Sequence, residues 1–273
     1  MNKKILFQNK EIHYRVIGNG ASVLLIHGFG EDGTIWDKQV DALKDSFQFI
    51  VPDLPGSGLS PLLNDPCTME ILAESVYAIL QAESITSTVV IGHSMGGYIT
   101  LAFAEKYPQV LKAFGLFHSS AYPDNDEKKE ARRKSIGFIQ QQGAAKFIEQ
   151  LIPKLFSEGF KQENPLIVKE LIQRYTNFSA EALVQYYEAM ILRPDRAKQL
   201  REFAGPILII MGKQDSVIPL EDNLSQSHLP HIAYIQLLEK SGHMGMLEET
   251  ANANKFLQKF LTEIEIVRPV PAL

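Results

Sequence analysis

The stretch "VVIGHSMGG" (89–97) sets Ser94 midway between Gly92 and Gly96, after an apolar run and before a helical pattern. That is the context of a nucleophile elbow, a sharp strand-to-helix turn that lifts a hydroxyl above the sheet edge. Glycine is needed on both sides because a side chain in so tight a turn would collide with neighbouring backbone. The turn also puts the Met95 N–H at a helix start, where a developing oxyanion can be stabilised. A serine held this way attacks a carbonyl carbon once a base takes its proton, and the base needs an orienting acid.

Seven histidines compete for the role of base. His13 falls within an alternating run, and His228 and His231 bracket Pro230 near a surface turn. His93 adjoins Ser94 and must diverge from it, while His27 is placed to brace the glycine loop that follows it. His118 ends an apolar run on the correct sheet edge and is the serious rival. His243, in "LEKSGHMGMLEE", lies on a loop between the last strand-like run and the final helix, free to reach the elbow. It is the expected base. For the acid, "IIMGKQDSVIP" puts Asp215 at a strand tip, with Asp124 the next to consider and Glu221 and Asp222 inside the following helix. Ser94, Asp215 and His243 then run in the order nucleophile, acid, base, each just past a strand's carboxyl end.

A second motif competes with this reading. "LLIHGFGEDG" (24–33) spells G-x-G-x-x-G after an apolar run, and Asp53 follows Gly33 by twenty residues. Such spacing suits a dinucleotide site, with glycines admitting a pyrophosphate and a distant acid holding the ribose. Glu31 and Asp32 occupy the variable positions, however, and would repel phosphate. Asp53 sits in "PDLPGSG", among prolines and glycines, unlike a plain strand end. The loop is better suited to presenting backbone N–H groups to an oxyanion. There is no H-E-x-x-H, no Walker A pattern and no cysteine–histidine cluster, so neither a metal nor a cofactor is expected. Cys67 is the single cysteine, which excludes an intrachain disulfide.

These residues need a scaffold. Residues 11–17 alternate as a half-buried strand, and continuous apolar runs follow at 22–27, 47–53, 87–92, 111–118, 206–212 and 233–239. Continuous runs suit strands covered on both faces of a parallel sheet. Helical patterns lie between them at 68–83, 96–107 and 249–264, so the chain reads as a doubly wound α/β fold. Between Tyr122 and Asp195 the alternation stops and the chain reads as helices, opening with "DNDEKKEARRK" (124–134), taken as a solvated helix face. An all-helical block between two strands of a parallel sheet projects over the strands' carboxyl ends, as a lid. Its aromatic residues suggest an apolar pocket. Trp36 reads as a core anchor and "VRPVPAL" (267–273) as a loose tail.

Composition sets outer bounds. The 273 residues carry 45% hydrophobic and 22% charged side chains, ordinary for a globular α/β protein with a sizeable core. A net charge of −5 argues against nucleic acid or an anionic membrane as partner, since both call for a basic face. No segment approaches the apolar length of a membrane span, and the start lacks a signal-peptide core. The expected setting is cytoplasmic, as a monomer or homodimer acting on a small molecule.

The chain resembles the α/β-hydrolase superfamily over nearly its whole length, in the capped esterase–lactonase branch. The matching pieces are "HGFG" (27–30), "PDLPGSGLS" (52–60), "GHSMGG" (92–97), "GKQDSVIP" (212–219) and "SGHMGMLE" (241–248). The resemblance implies a doubly wound, mostly parallel eight-stranded sheet, with a core of 1–121 and 196–273 and a helical cap of 122–195. It implies a triad of Ser94, Asp215 and His243, with the Phe29 and Met95 N–H groups as oxyanion hole. The expected substrate is a small to medium, largely apolar carboxylic ester or lactone. Relatives that cleave a carbon–carbon bond in a vinylogous diketone usually carry Asn where this chain has His93. Monoacylglycerol lipases share "GHSMGG", and some receptors with this fold barely turn over; both stay open.

Overall fold

Each continuous apolar run becomes a strand of one sheet in the computed structural model, which describes residues 1–266. The "VRPVPAL" ending lies outside the described residues. The strands are β1 (Asn2–Phe7), β2 (Lys10–Ile17), β3 (Ala21–Ile26), β4 (Phe47–Pro52), β5 (Thr88–His93), β6 (Leu111–Phe117), β7 (Ile207–Gly212) and β8 (Ala233–Leu238). Their spatial order is β1-β2-β4-β3-β5-β6-β7-β8. The pairs β1–β2 and β2–β4 are antiparallel and the rest are parallel.

Burial follows position in the sheet. β5 and β7 are covered at every residue, as their unbroken apolar runs predict. β8 departs from expectation. It forms the sheet edge, and Ala233 and Ile235 remain exposed, so its apolar run is covered on one face only. β1 is the strand that apolar runs alone do not reveal, because Asn2, Lys4 and Leu6 face solvent along its edge. It is held by a tight turn at Gln8 and Asn9, both with positive φ, the turn chemistry that matches strand twist in a two-residue hairpin.

Helices α1 (Asp37–Leu43), α2 (Met69–Ala82) and α3 (Met95–Lys106) connect the first strands. Six more separate β6 from β7, namely α4 (Asp126–Gln142), α5 (Ala144–Leu151), α6 (Glu158–Glu163), α7 (Pro165–Tyr175), α8 (Ala180–Leu192) and α9 (Ala197–Glu202). Side-chain caps start several of them: Asn125 accepts from the Lys128 N–H ahead of α4, and Ser179 from the Ala182 N–H ahead of α8. α9 packs on α3, whereas α4, α5 and α8 pack on one another. Then come α10 (Leu220–Ser227), α11 (Gly245–Glu248) and α12 (Thr250–Ile266). Among the described residues, no helix is long and apolar enough to cross a membrane.

One consequence of this order positions the site. β4 lies on one side of β3 and β5 on the other, so the connections leaving β3 and β5 diverge. A crevice opens at their carboxyl ends, the place where open α/β sheets bind ligands.

Candidate active site

Ser94 caps α3 at that crevice with φ 50° and ψ −115°, a left-handed conformation that a non-glycine residue adopts only when its surroundings enforce it. The enforcement is visible. The Ser94 N–H donates to the Phe117 carbonyl at 2.9 Å, and Ser119 Oγ donates to the Ser94 carbonyl at 2.7 Å. A Cβ at Gly92 would lie 2.1 Å from the Gly96 carbonyl oxygen, and one at Gly96 2.4 Å from that of Ile26. The elbow therefore requires both glycines.

The Ser94 hydroxyl donates to His243 Nε2 at 2.8 Å, and His243 Nδ1 donates to Asp215 Oδ2 at 2.8 Å. The other carboxylate oxygen, Asp215 Oδ1, accepts the Val217 and Ile218 N–H groups at 2.8 and 2.9 Å. Burial pushes the Asp215 carboxyl up, but His243 and His118 hold it well below the usual carboxylate range. The three residues singled out by chain order thus meet.

His118, the rival base, bonds elsewhere. Its Nδ1 donates to the same Asp215 Oδ2 at 3.1 Å, and no hydrogen bond links it to Ser94. The ring is wholly buried, its Nε2 lacks a partner, and a Cβ at Gly245 would come within 2.4 Å of that atom. Burial brings the His118 imidazole down to about 4, against the pull of Asp215. It is a neutral brace on the acid. Asp124, the alternative acid, pairs instead with Arg132 and Arg193.

The loop after β3 folds back on the elbow: a Cβ at Gly28 would lie 3.2 Å from Ser94 Cβ. Glu31 Oε2 accepts the Gly28 N–H at 2.8 Å and also takes His93 Nδ1 at 3.0 Å. His93 Nε2 donates to the His243 carbonyl at 3.0 Å. Both partners of His93 are acceptors, so both of its nitrogens carry protons when Glu31 is ionised. Burial opposes either charge, but the pair sustains them, lowering the Glu31 carboxyl and raising the His93 imidazole. From sequence, Glu31 reads only as an obstacle to phosphate, and His93 as a side chain that diverges from Ser94 and differs from the Asn of carbon–carbon hydrolases; neither reading pairs the two. A glutamate three residues after Gly28 and a histidine beside the nucleophile were the available signal.

The same contacts account for G-x-G-x-x-G. Gly28 gives its N–H to Glu31, and Gly33 gives its N–H to Asp53 Oδ1 at 3.0 Å, while Asp53 Oδ2 takes the Leu59 N–H. Two of the amides a phosphate would use are already spent on carboxylates. Phe29 and Met95 keep theirs: neither N–H donates to another protein atom among the described residues. Cys67 is buried, and burial pushes its thiol up to about 11, so it is inert. Trp36 is fully buried, edge-on to Phe117 and His93.

A cavity of about 70 Å³ adjoins Ser94 and His243, walled by Phe29, Tyr98, Arg132, Leu155, Tyr187 and Met190. Tyr187 of α8 stacks on Phe29 at 4.2 Å between ring centroids. The Leu155 carbonyl accepts the His243 N–H at 2.7 Å, and Glu248 accepts the Ser157 N–H at 2.8 Å. The helices between β6 and β7 therefore close over the crevice and grip the His243 loop. A larger cavity, about 660 Å³, lies between α7 and the β2–β4 flank, and none of Ser94, Asp215 or His243 lines it.

Comparison with known proteins agrees with this fold. A family model described as alpha/beta hydrolase fold matches residues 21–155. A thermophilic esterase from Thermogutta terrifontis, solved with malate bound, superposes with a TM-score of 0.91 at 28% identity, covering 97% of this chain and 99% of its own. The 3-oxoadipate enol-lactonase 2 of Acinetobacter baylyi is 26% identical over 250 residues, 89% of this chain and 90% of that protein. Lipase 3 of a Moraxella species is 28% identical over 259 residues, 86% of this chain and 76% of that protein.

Proposed function

This chain belongs to the α/β-hydrolase superfamily, and from that premise we propose that it is a serine hydrolase of small carboxylic esters or lactones. The observation that carries this reading is the continuous path from Ser94 Oγ through His243 to Asp215, with 2.8 Å at each step. His243 Nε2 takes the hydroxyl proton as Oγ attacks the carbonyl carbon. Asp215 fixes the imidazole tautomer and stabilises the imidazolium that forms. The Phe29 and Met95 N–H groups receive the developing oxyanion. His243 then protonates the leaving alkoxide, and water activated by the same imidazole releases the acid from the acyl-enzyme.

Residues 122–195 act as a cap on a core formed by 1–121 and 196–273. The space beneath it sets substrate size. The cavity of about 70 Å³ beside Ser94 is small, so it suits a short acyl group. Across acyl esters, kcat/KM should rise over short chains and then fall, since longer chains require the cap to shift. A flat profile from acetyl to octanoyl would contradict a pocket closed by the cap. The reaction class has its own test. A fluorophosphonate probe should label the wild type once and Ser94→Ala not at all, with kcat lower by roughly 10⁴-fold or more in the mutant. Labelling that survives in Ser94→Ala overturns the assignment, and a labelled wild type that hydrolyses no ester or lactone favours a receptor.

A further inference from the structure

Arg132 lies in "DNDEKKEARRK", a stretch that reads as a solvated helix face, and its neighbour Arg133 obeys, with its side chain 58% exposed. Arg132 turns inward instead. Its side chain is 18% exposed and walls the cavity that holds Ser94 and His243. Two guanidinium groups share one carboxylate there. Asp124 Oδ2 accepts Arg132 Nε at 2.5 Å, and Asp124 Oδ1 accepts Arg193 Nη2 at 2.9 Å. Burial opposes the Asp124 charge, yet Arg132 and Arg193 bring that carboxyl down to about 2.

The two arginines are not equivalent. Arg193 spends its terminal nitrogens on Asp124 and the Met190 and Tyr122 carbonyls, and its guanidinium lies 3.9 Å from the Tyr98 ring centroid. Arg132 bonds Asp124 through Nε and, at 3.3 Å, through Nη2. Its Nη1 makes no hydrogen bond to another protein atom among the described residues. The remaining acids around the cavity are engaged: Glu31 by His93 and the Gly28 N–H, Asp215 by two imidazoles. The Arg132–Arg193–Asp124 group thus carries one net positive charge, while Asp215 keeps its negative charge between two neutral imidazoles, and Arg132 is the member of that group that lines the cavity. An anion entering the cavity can meet Arg132 through a charge-assisted bond that a neutral alkyl group cannot make.

We propose that Arg132 is a specificity-determining residue and that the substrate carries a carboxylate or comparable anionic group seated against its Nη1. The inference rests on the hydrolase reading for the identity of the pocket and replaces a largely apolar substrate with an anionic one.

Binding without turnover tests it. The Ser94→Ala protein is titrated with two isosteric pairs: ethyl hydrogen succinate against ethyl 4-methylpentanoate, and carboxymethyl butanoate against isobutyl butanoate. The first pair carries its charge on the acyl side and the second on the alcohol side. In one pair the anion should bind about tenfold tighter or better than its neutral partner. Adding Arg132→Gln should reduce that ratio to about twofold or less, and Arg132→Lys should retain part of it. Because the ratio is taken within one protein, a general loss of stability cancels, and the lysine variant serves if the glutamine variant does not fold. Equal binding within both pairs, no binding by any member, or a preference that survives Arg132→Gln overturns the proposal. Failure of the hydrolase reading looks different: the wild type takes no probe at Ser94 and turns over no ester, whatever the binding ratio.

Discussion

Asp215 Oδ2 receives two imidazoles, and the two should behave oppositely on mutation. His243→Ala removes the group that holds the Ser94 proton and should lower kcat by roughly 10⁴-fold, whereas His118→Asn should stay within about tenfold. Comparable losses in both would mean that His118 does more than brace the acid. His118 also makes stability depend on pH. The unfolded chain binds its proton at an ordinary value near 6.5, but the buried ring resists until about 4. Between those values the unfolded state holds a proton that the native state lacks, so stability falls as pH falls, by about 3 kcal/mol across the window. Urea unfolding of His118→Asn should show a flatter slope there, and no change above pH 6.5. A slope equal to wild type would remove His118 as its source. Glu31 supplies another residue-level test. Glu31→Ala strands the buried His93 imidazolium and should cost roughly 3–5 kcal/mol, read from urea midpoints; a loss under about 1 kcal/mol would argue that the pair is not ionic.

At the scale of elements, three glycines with different backbones should respond with different signs to the same added methyl. A Cβ at Gly92, the penultimate residue of β5, would lie 2.1 Å from a backbone oxygen that cannot yield. Gly92→Ala should destabilise by about 3 kcal/mol or more, or fail to give folded protein. Gly137, inside α4, has nothing within 4 Å of a built Cβ and no positive φ. Gly137→Ala should stabilise by about 0.5–1 kcal/mol by restricting the unfolded chain. Gly143 also faces open space, but its φ of 86° joins α4 to α5 in a conformation alanine avoids. Gly143→Ala should destabilise by about 1 kcal/mol or more. Thermal melts of the three rank them, and a stabilised Gly143→Ala would show that the α4–α5 junction tolerates a different backbone.

Across the whole molecule, the helices between β6 and β7 are bound to the sheet through several independent contacts. The Tyr186 hydroxyl donates to the Pro55 carbonyl at 2.6 Å, Phe29 stacks on Tyr187, and the backbone around Leu155–Ser157 holds the His243 loop. Those helices should therefore unfold with the sheet. Trp36 is the single tryptophan and sits in the sheet's core, so its fluorescence reports the core while far-UV circular dichroism also reports the helices. The two signals should give coincident urea transitions. A separate, earlier loss of helix would show that these helices form an independent unit.

How much of this was legible in the sequence depended on whether a signal was local. Unbroken apolar runs specify strands covered on both faces, because every residue then needs an apolar partner; β3 to β7 follow from that pattern. The elbow was legible because a turn so tight admits only glycine at 92 and 96. β1 escaped because an edge strand may expose every second residue, and β8 misled because an apolar run does not say whether a second face has a neighbour. Side-chain direction was beyond reach as well. Arg132 and Arg133 are alike in type and adjacent in sequence, yet one walls the cavity and the other meets solvent. His118 and His243 both end apolar runs or follow them, and which one bonds Ser94 is a matter of where β6 and the β8–α11 loop stand relative to β5. The parallel sheet and the strained serine turn follow from sequence alone, because each is encoded within a few consecutive residues. Folding alone fixes which imidazole bonds Ser94, that Glu31 meets His93 and that His93 meets the His243 backbone. Those are distances between residues 62 to 150 positions apart in the chain, and such distances exist only once the sheet has formed.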